Sequence, residues 1–411
     1  MNKSSFGCFL LCLALALPAT AAAPLVEASP ANGKGKNAGF LYAQVTLMNS
    51  KVYEGRVRFD DEEASWGDYF NSTKEPPAFL RDAPNQGGER YPVKVFGIPL
   101  FNHNESWGRQ FVVRFGDIDR IEVSGGGRAA VYLKGGLELE IRGGSNDLSG
   151  EIVVWDEKEG ETRIDWRKLR TLQFKASPPN LAVAEKRFYG KLETTTGVLQ
   201  GFIQWDQEEC LSTDVLSGDS NGKDRDVEIG ELKAIEKKGG GSRFVFRDGH
   251  EEILTGTNDV DGDNRGIWVD DPRYGRVMVN WKAFVRLDVL DPPNAGPGYG
   301  EFAPTKALVG KVTMKDGKVH EGQVIYDLDE TYGWEMLNGD AGELEYSIPF
   351  EMVASVRPGA DFSDVVLKNG EKLRLDGSQD VGEINAGLLV GNETGKRVYV
   401  PWKDVESVEL Q

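Results

Sequence analysis

The stretch VPWKDVESVEL, Val400 to Leu410, places a proline and a tryptophan ahead of apolar residues that recur every third position. Pro401 cannot donate to a sheet, so a strand ending at Val400 must give way there. One turn of 3₁₀ geometry then puts Trp402 and Val405 on the same side, because side chains three apart eclipse in that geometry, and the chain resumes as a strand from Val408 to Leu410. Two earlier phrases, IDWRKLRTLQF and VNWKAFVRLDV, stand in the same register. Each of the three follows a glycine-turn segment: LKGGLELEIRGGSND (Leu133 to Asp147), FRDGHEEILTGTND (Phe246 to Asp259) and LKNGEKLRLDGSQD (Leu367 to Asp380). The closing phrase is therefore the third copy of a unit.

A second shared block precedes each copy. LMNSKVYEGRVRFDDEE (Leu47 to Glu63), ETTTGVLQGFIQWDQEE (Glu193 to Glu209) and TMKDGKVHEGQVIYDLDE (Thr313 to Glu330) read as strand, tight turn, strand, with Gly55, Gly201 and Gly322 in register. A weaker form of the closing phrase ends each first half, at Phe115, Ile118 and Ile121, at Ile229, Leu232 and Ile235, and at Phe350, Val353 and Val356. The chain thus divides into a segment at 1–22, a linker at 23–39, and three repeats at 40–175, 187–290 and 307–411, each made of two half-units. Proline and glycine mark the joints, which have the composition of extended linkers. The first repeat alone carries an insertion at 71–109, rich in Pro, Gly and Asn, which reads as a surface loop.

Apolar residues alternate with period two almost throughout, as at Val45 and Leu47, Val131 and Leu133, or Val398 and Val400. This predicts an all-β chain whose strands each bury one face. Short strands joined by Asp-Gly and Asn-Gly turns, at Asp248-Gly249, Asp316-Gly317 and Asn369-Gly370, point to small barrels rather than long open sheets. The strand, proline-aromatic pair, single turn and final strand of Val400-Pro401-Trp402 and Ile348-Pro349-Phe350 resemble the ending of SH3-like barrels, of the Sm-like and especially the PRC-barrel families. The resemblance implies three tandem repeats, each a pair of small SH3-like half-units. Members of those families bind RNA, assist ribosome assembly, serve photosynthesis or dock proteins. None of their functional residues maps onto a position of this chain.

The chain opens MNKSSFGCFLLCLALALPATAAAP, an apolar run followed by small residues, which reads as a signal peptide cleaved near Ala21 to Ala23. A soluble periplasmic or secreted protein is the expectation, with no transmembrane segment in the mature chain. Removal of Cys8 and Cys12 leaves Cys210, so stability must come from apolar cores rather than an intramolecular disulfide. The 66 acidic residues outnumber the 48 basic ones. Nucleic acid and anionic lipid are disfavoured as partners, since phosphate binding needs clustered Lys and Arg.

Three histidines, His103, His250 and His320, share no register among the repeats and suggest no catalytic arrangement. Acidic residues do recur: Asp60, Glu63 and Asp68 return as Asp206, Glu209 and Asp214, and as Asp327, Glu330 and Glu335. Hard cations take such oxygen ligands, although turn capping is the simpler reading. In TNDVDGDNRGIWVDD the candidate calcium ligands are Asp259, Asp261, Asp263 and Asp270, in a loop that departs from the EF-hand pattern at Asn264 and Gly266. The other repeats keep only Asp147 and Asp380 from this loop, which favours a turn residue. Calcium is thus the one cofactor to consider. Of nine tryptophans, Trp166, Trp281 and Trp402 belong to the closing turn and to the core, while Trp66, Tyr91, Trp107 and Trp334 are the aromatics available to stack on a sugar-like ligand.

The sequence therefore reads as a secreted or periplasmic repeat protein without enzymatic activity, a binding or scaffolding module at the cell envelope with a protein or envelope glycan as partner. A carbohydrate- or calcium-dependent binding protein is the alternative, and a hydrolase using paired carboxylates the third reading.

Overall fold

Residues 35–74, 109–143, 146–304, 306–391 and 396–411 are described in the computed structural model, together with the backbone of a two-residue hairpin, Lys94–Val95 and Ile98–Pro99. The apolar leader, Tyr91, His103 and Trp107 lie outside the described residues. The described chain is all-β, with antiparallel sheets and only short 3₁₀ turns between strands.

The first sheet runs, edge to edge, Gly160–Asp165, Glu151–Asp156, Val52–Phe59, Tyr42–Leu47, Leu169–Phe174, Ile118–Gly125, Arg128–Leu133 and Glu138–Arg142, and continues into the hairpin Tyr69–Lys74 and Arg109–Arg114. The same relative order of eight strands occurs around the hairpin Tyr189–Thr194 and Val198–Gln204, and again around Val309–Met314 and Val319–Ile325. In all three sheets the first strand shifts register against the closing strand at its end, at Thr46/Leu47, Glu193/Thr194 and Thr313/Met314. Gly55 and Gly201 are needed where neighbouring strands crowd together. A Cβ there would lie 2.0 Å from the carbonyl oxygen of Trp155 or of Asp270.

None of these sheets closes on itself, so the expected small barrels are replaced by open sheets. The two halves of a module also interlock instead of forming separate barrels. Leu169–Phe174, from the second half, lies between Tyr42–Leu47 and Ile118–Gly125 of the first. Alternation marks which face a strand buries, and it carries no information about which strand lies beside it.

The closing phrase folds into the turn that its spacing predicts, with the last strand, Val405–Leu410, starting three residues earlier than expected. Trp402–Asp404 form a 3₁₀ turn, and Trp402, Val405 and Val408 are all buried. Trp402 meets Tyr326 edge-on, with ring centroids 5.6 Å apart, and Trp281 meets Trp205 in the same way at 6.2 Å. Burial of the second and third modules forms one continuous apolar core, bridged by pairing of Gly275–Val279 with Leu344–Pro349. The core of the first module takes in Trp334 from the third.

The proline-rich joint before the third module is not a free linker. Tyr299 lies against Trp66 at 4.5 Å and donates its hydroxyl to the Ile118 carbonyl at 2.8 Å. Phe302 fills the space above Gly116, where a Cβ would come within 2.4 Å of its ring. The segment is thereby strapped to the first module.

Truncation of a fully packed aromatic leaves a cavity as well as losing its transfer energy, so Trp402→Ala should destabilise the protein by about 3–5 kcal/mol. Denaturant unfolding of the full chain measures this, and an unchanged midpoint would contradict the packing described.

Candidate functional site

A buried aromatic stands at the end of the second strand of each module (Phe59) or directly after it (Trp205, Tyr326), and the chain then turns sharply. The next two residues adopt left-handed backbone in every module: Asp60 and Asp61, Asp206 and Gln207, Asp327 and Leu328. Asp tolerates that region better than most side chains, because its short carboxylate bonds locally. The turn closes with backbone bonds between Phe59 and Glu63, Trp205 and Glu209, and Tyr326 and Glu330.

The recurring acids separate into two groups with different partners. Asp68, Asp214 and Glu335 cap the backbone. One oxygen of Asp68 accepts the Ala64 and Ser65 amides at 2.9 and 2.8 Å. Asp214 does the same for Cys210 and Leu211, at 2.8 and 2.9 Å, and Glu335 for Thr331 and Tyr332. Each also holds a cation from another module: Arg187 on Asp68 at 2.7 Å, Arg58 on Asp214 at 2.8 Å, and Lys74 on Glu335. These third acids are consequently ion-pair anchors and are not available to join Asp60 and Glu63, or their counterparts, around a metal.

What joins the turn acids instead is the loop aspartate of the module's second half. Asp147, Asp259 and Asp380 each accept a strand amide, from Asn71 at 2.5 Å, Ser217 at 2.7 Å and Asn338 at 2.7 Å. The backbone carbonyls of Asp259 and Asp380 receive the Trp205 indole and the Tyr326 hydroxyl. Asp327, Glu330 and Asp380 each bring an oxygen within 4.8 Å of the other two. The signal in the sequence was the register of Asp147, Asp259 and Asp380; the contact between the two loops was not legible.

Burial raises the pKa of every acid of this kind that shows a shift. The Glu63 carboxyl is pushed well above the usual range by burial and then by Asp147 and Glu62. Burial lifts Asp147 to about 8 against the opposing bond from the Asn71 amide. Glu209 is raised to about 9, by burial and then by Asp259. Glu330 is also raised well above the usual range, by burial and then by Asp380. One oxygen, Oε2, of Glu63, of Glu209 and of Glu330 is buried without a hydrogen-bond partner.

The four candidate calcium ligands of the middle loop are not gathered together. Asp261 accepts the amides of Gly256 and Asp263, at 3.2 and 3.0 Å, and the Asp263 side chain is exposed. Asp270 belongs to the strand Ile267–Asp271 and lies near Arg276, Asp68 and Arg187, with its pKa lifted by burial to about 6. The two described aromatic candidates are in the interior: Trp66 is fully buried and donates to the Ala38 carbonyl, and Trp334 packs edge-on against Phe111 at 5.5 Å. Cys210 is buried, with its thiol pKa pushed up by that burial. His250 stacks on Phe246 at 3.9 Å and bonds Asp248 at 2.5 Å.

A cavity of about 640 Å³ opens where the strap crosses from the first module to the third. Phe302, Leu308 and Leu410 give it apolar walls, and Arg114, Lys306 and Glu351 bring charge to it. Arg114 is itself paired with Asp117 and Glu351, each at 2.8 Å, so this rim is held rigidly. Comparison of the chain with protein-family models, with curated proteins and with solved structures finds no match.

Raised carboxyl pKa values make stability depend on pH in a defined direction. A carboxyl that ionises near 9 when folded and near 4.5 when unfolded favours the fold fully below pH 4.5, and that contribution is lost as pH rises towards 9. Glu209→Gln keeps the shape without the charge. It should leave the melting temperature nearly unchanged at pH 4 to 5 and raise it at pH 9. A variant that melts below the wild type at pH 9 would contradict the burial of an unpaired carboxyl there.

Proposed function

We propose that the protein is a non-enzymatic binding and scaffolding protein of the cell envelope, secreted or periplasmic, built from three tandem β modules. The shared order of eight strands and the shared register shift support the threefold reading. The likeness of the closing turn to PRC-barrel endings stays with that proposal, at the level of the turn and its final strand.

The observation that carries the function is the preformed groove between the first and third modules. Its partner is an extended protein segment, because the groove alternates apolar wall with charged rim and is too shallow in aromatic surface for a sugar ring: its tryptophan, Trp334, is 4% exposed. A rigid groove lowers the cost of ordering the site on binding.

Ala307 is exposed and lines the groove, so Ala307→Arg fills it without burying charge. Amine-reactive cross-linking of the full chain in its own envelope fraction should couple a partner through Lys306 and Lys368, which flank the groove. The cross-links should disappear in Ala307→Arg while melting is unchanged. Cross-links that persist undiminished in the variant would exclude the groove as the binding site.

A further inference from the structure

We infer that the outer edge of the strand Gly160–Asp165 is a self-association surface, and that its occupant is the same strand of a second copy of the chain, paired antiparallel about a two-fold axis at Thr162. Among the described residues this strand ends the first sheet and pairs on one side alone, with Glu151–Asp156. Its other side presents backbone groups that a further strand can take up. Glu161 and Arg163 are exposed, whereas Ile164 is buried, so the strand is seated on the core with its charges outward.

The second module shows that this edge accepts a strand. The counterpart of Gly160–Asp165 there is Gly275–Val279, since both are the second strand of a hairpin and lead into the turn at Trp166 or Trp281. Gly275–Val279 pairs on its inner side with Ile267–Asp271 and on its outer side, antiparallel, with Leu344–Pro349 of the third module. Four of its five residues are buried, against one of six in Gly160–Asp165. The same edge is thus covered in one module and open in another.

Charge selects the occupant. Residues directly opposite in an antiparallel pair project from the same face of the sheet, so two copies of one strand meet about a two-fold axis with one residue facing its own copy and its neighbours crossed. With Thr162 at the centre, Glu161 faces Arg163 of the second copy, and Arg163 faces Glu161 of the second copy. Both contacts are attractive, and the symmetry doubles whatever one of them contributes. The edge strand Asp224–Glu228 has no such solution, because Asp224, Asp226 and Glu228 alternate there and every choice of centre opposes acid to acid. Within the chain Arg163 bonds Asp61 at 2.9 Å and Glu161 accepts the Trp155 indole at 3.1 Å. These are exposed contacts of small worth, which the two groups can share or exchange at little cost.

Sedimentation equilibrium of the full chain over a range of protein concentrations tests this directly, alongside amide hydrogen exchange. A monomer–dimer equilibrium should appear, and exchange at residues 160–165 should slow as the dimer forms. Arg163→Glu and Glu161→Arg each turn two attractive contacts into two repulsive ones, and each should weaken dimerisation by about tenfold or more. The double variant re-forms both contacts with the charges exchanged and should recover dimerisation, which two independent losses could not do. A wild type that stays monomeric at every concentration would overturn the inference. A dimer that leaves exchange at 160–165 unchanged, that withstands the single reversals, or that the double variant fails to restore, each variant being folded by circular dichroism, would do the same.

Discussion

The arrangement of the whole molecule depends on one acid per module, the residue that follows the sharp turn: Asp68, Asp214 and Glu335. Each fixes its own turn by accepting two backbone amides, and each holds a cation that belongs to a different module. One carboxyl group thus serves both tasks in each module. Arg187 and Asp68 are among the most buried charged side chains of the protein, 4% and 9% exposed. A buried pair of this kind adds little net stability over an apolar substitute, but removing one partner strands the other charge. Its contribution is therefore orientation. It dictates which faces of the three sheets meet, and the apolar contacts, such as Trp334 against the first module, follow from that placement.

Much of the all-β fold was legible because similar phrases recur along the sequence. The phrase around Trp402 was readable as a buried turn and strand from its spacing and from its copies at Trp166 and Trp281. Alternation gave the strands, and register gave the recurring acids. Two things were hidden. Arg58, Arg187 and Lys74 each occur once, at unrelated positions of their modules, so repetition offered no cue to the pairs that lock the body together. Strand neighbours were hidden too, because a closing strand inserted between two strands of the other half produces the same alternation as one added at an edge. The candidate site was half visible: the loop aspartates and the turn acids were each recognisable, and their convergence depends on how two distant loops cross.

The acid turns of the second and third modules share one backbone design. The amide that reaches the turn aspartate is the same in the second and third modules, and so is the side-chain amide that accompanies it. What differs is whether the residue donating that backbone amide carries a guanidinium. Once the backbone holds the aspartate, the side chain at that position is free to vary.

The position of the closing strand has a consequence for how a module is completed. Val45 pairs with Leu172, Leu192 with Leu287 and Val312 with Val408, so the strand nearest the middle of each sheet is the last of its module along the chain. Such non-local pairing slows folding, because long loops must close before it is rewarded. Until that strand arrives, the sheet exists as two parts, each presenting an unpaired backbone edge to a vacancy one strand wide. A module interrupted at that stage is a receptor for its own missing strand, and it accepts that strand equally well from a second copy of the chain.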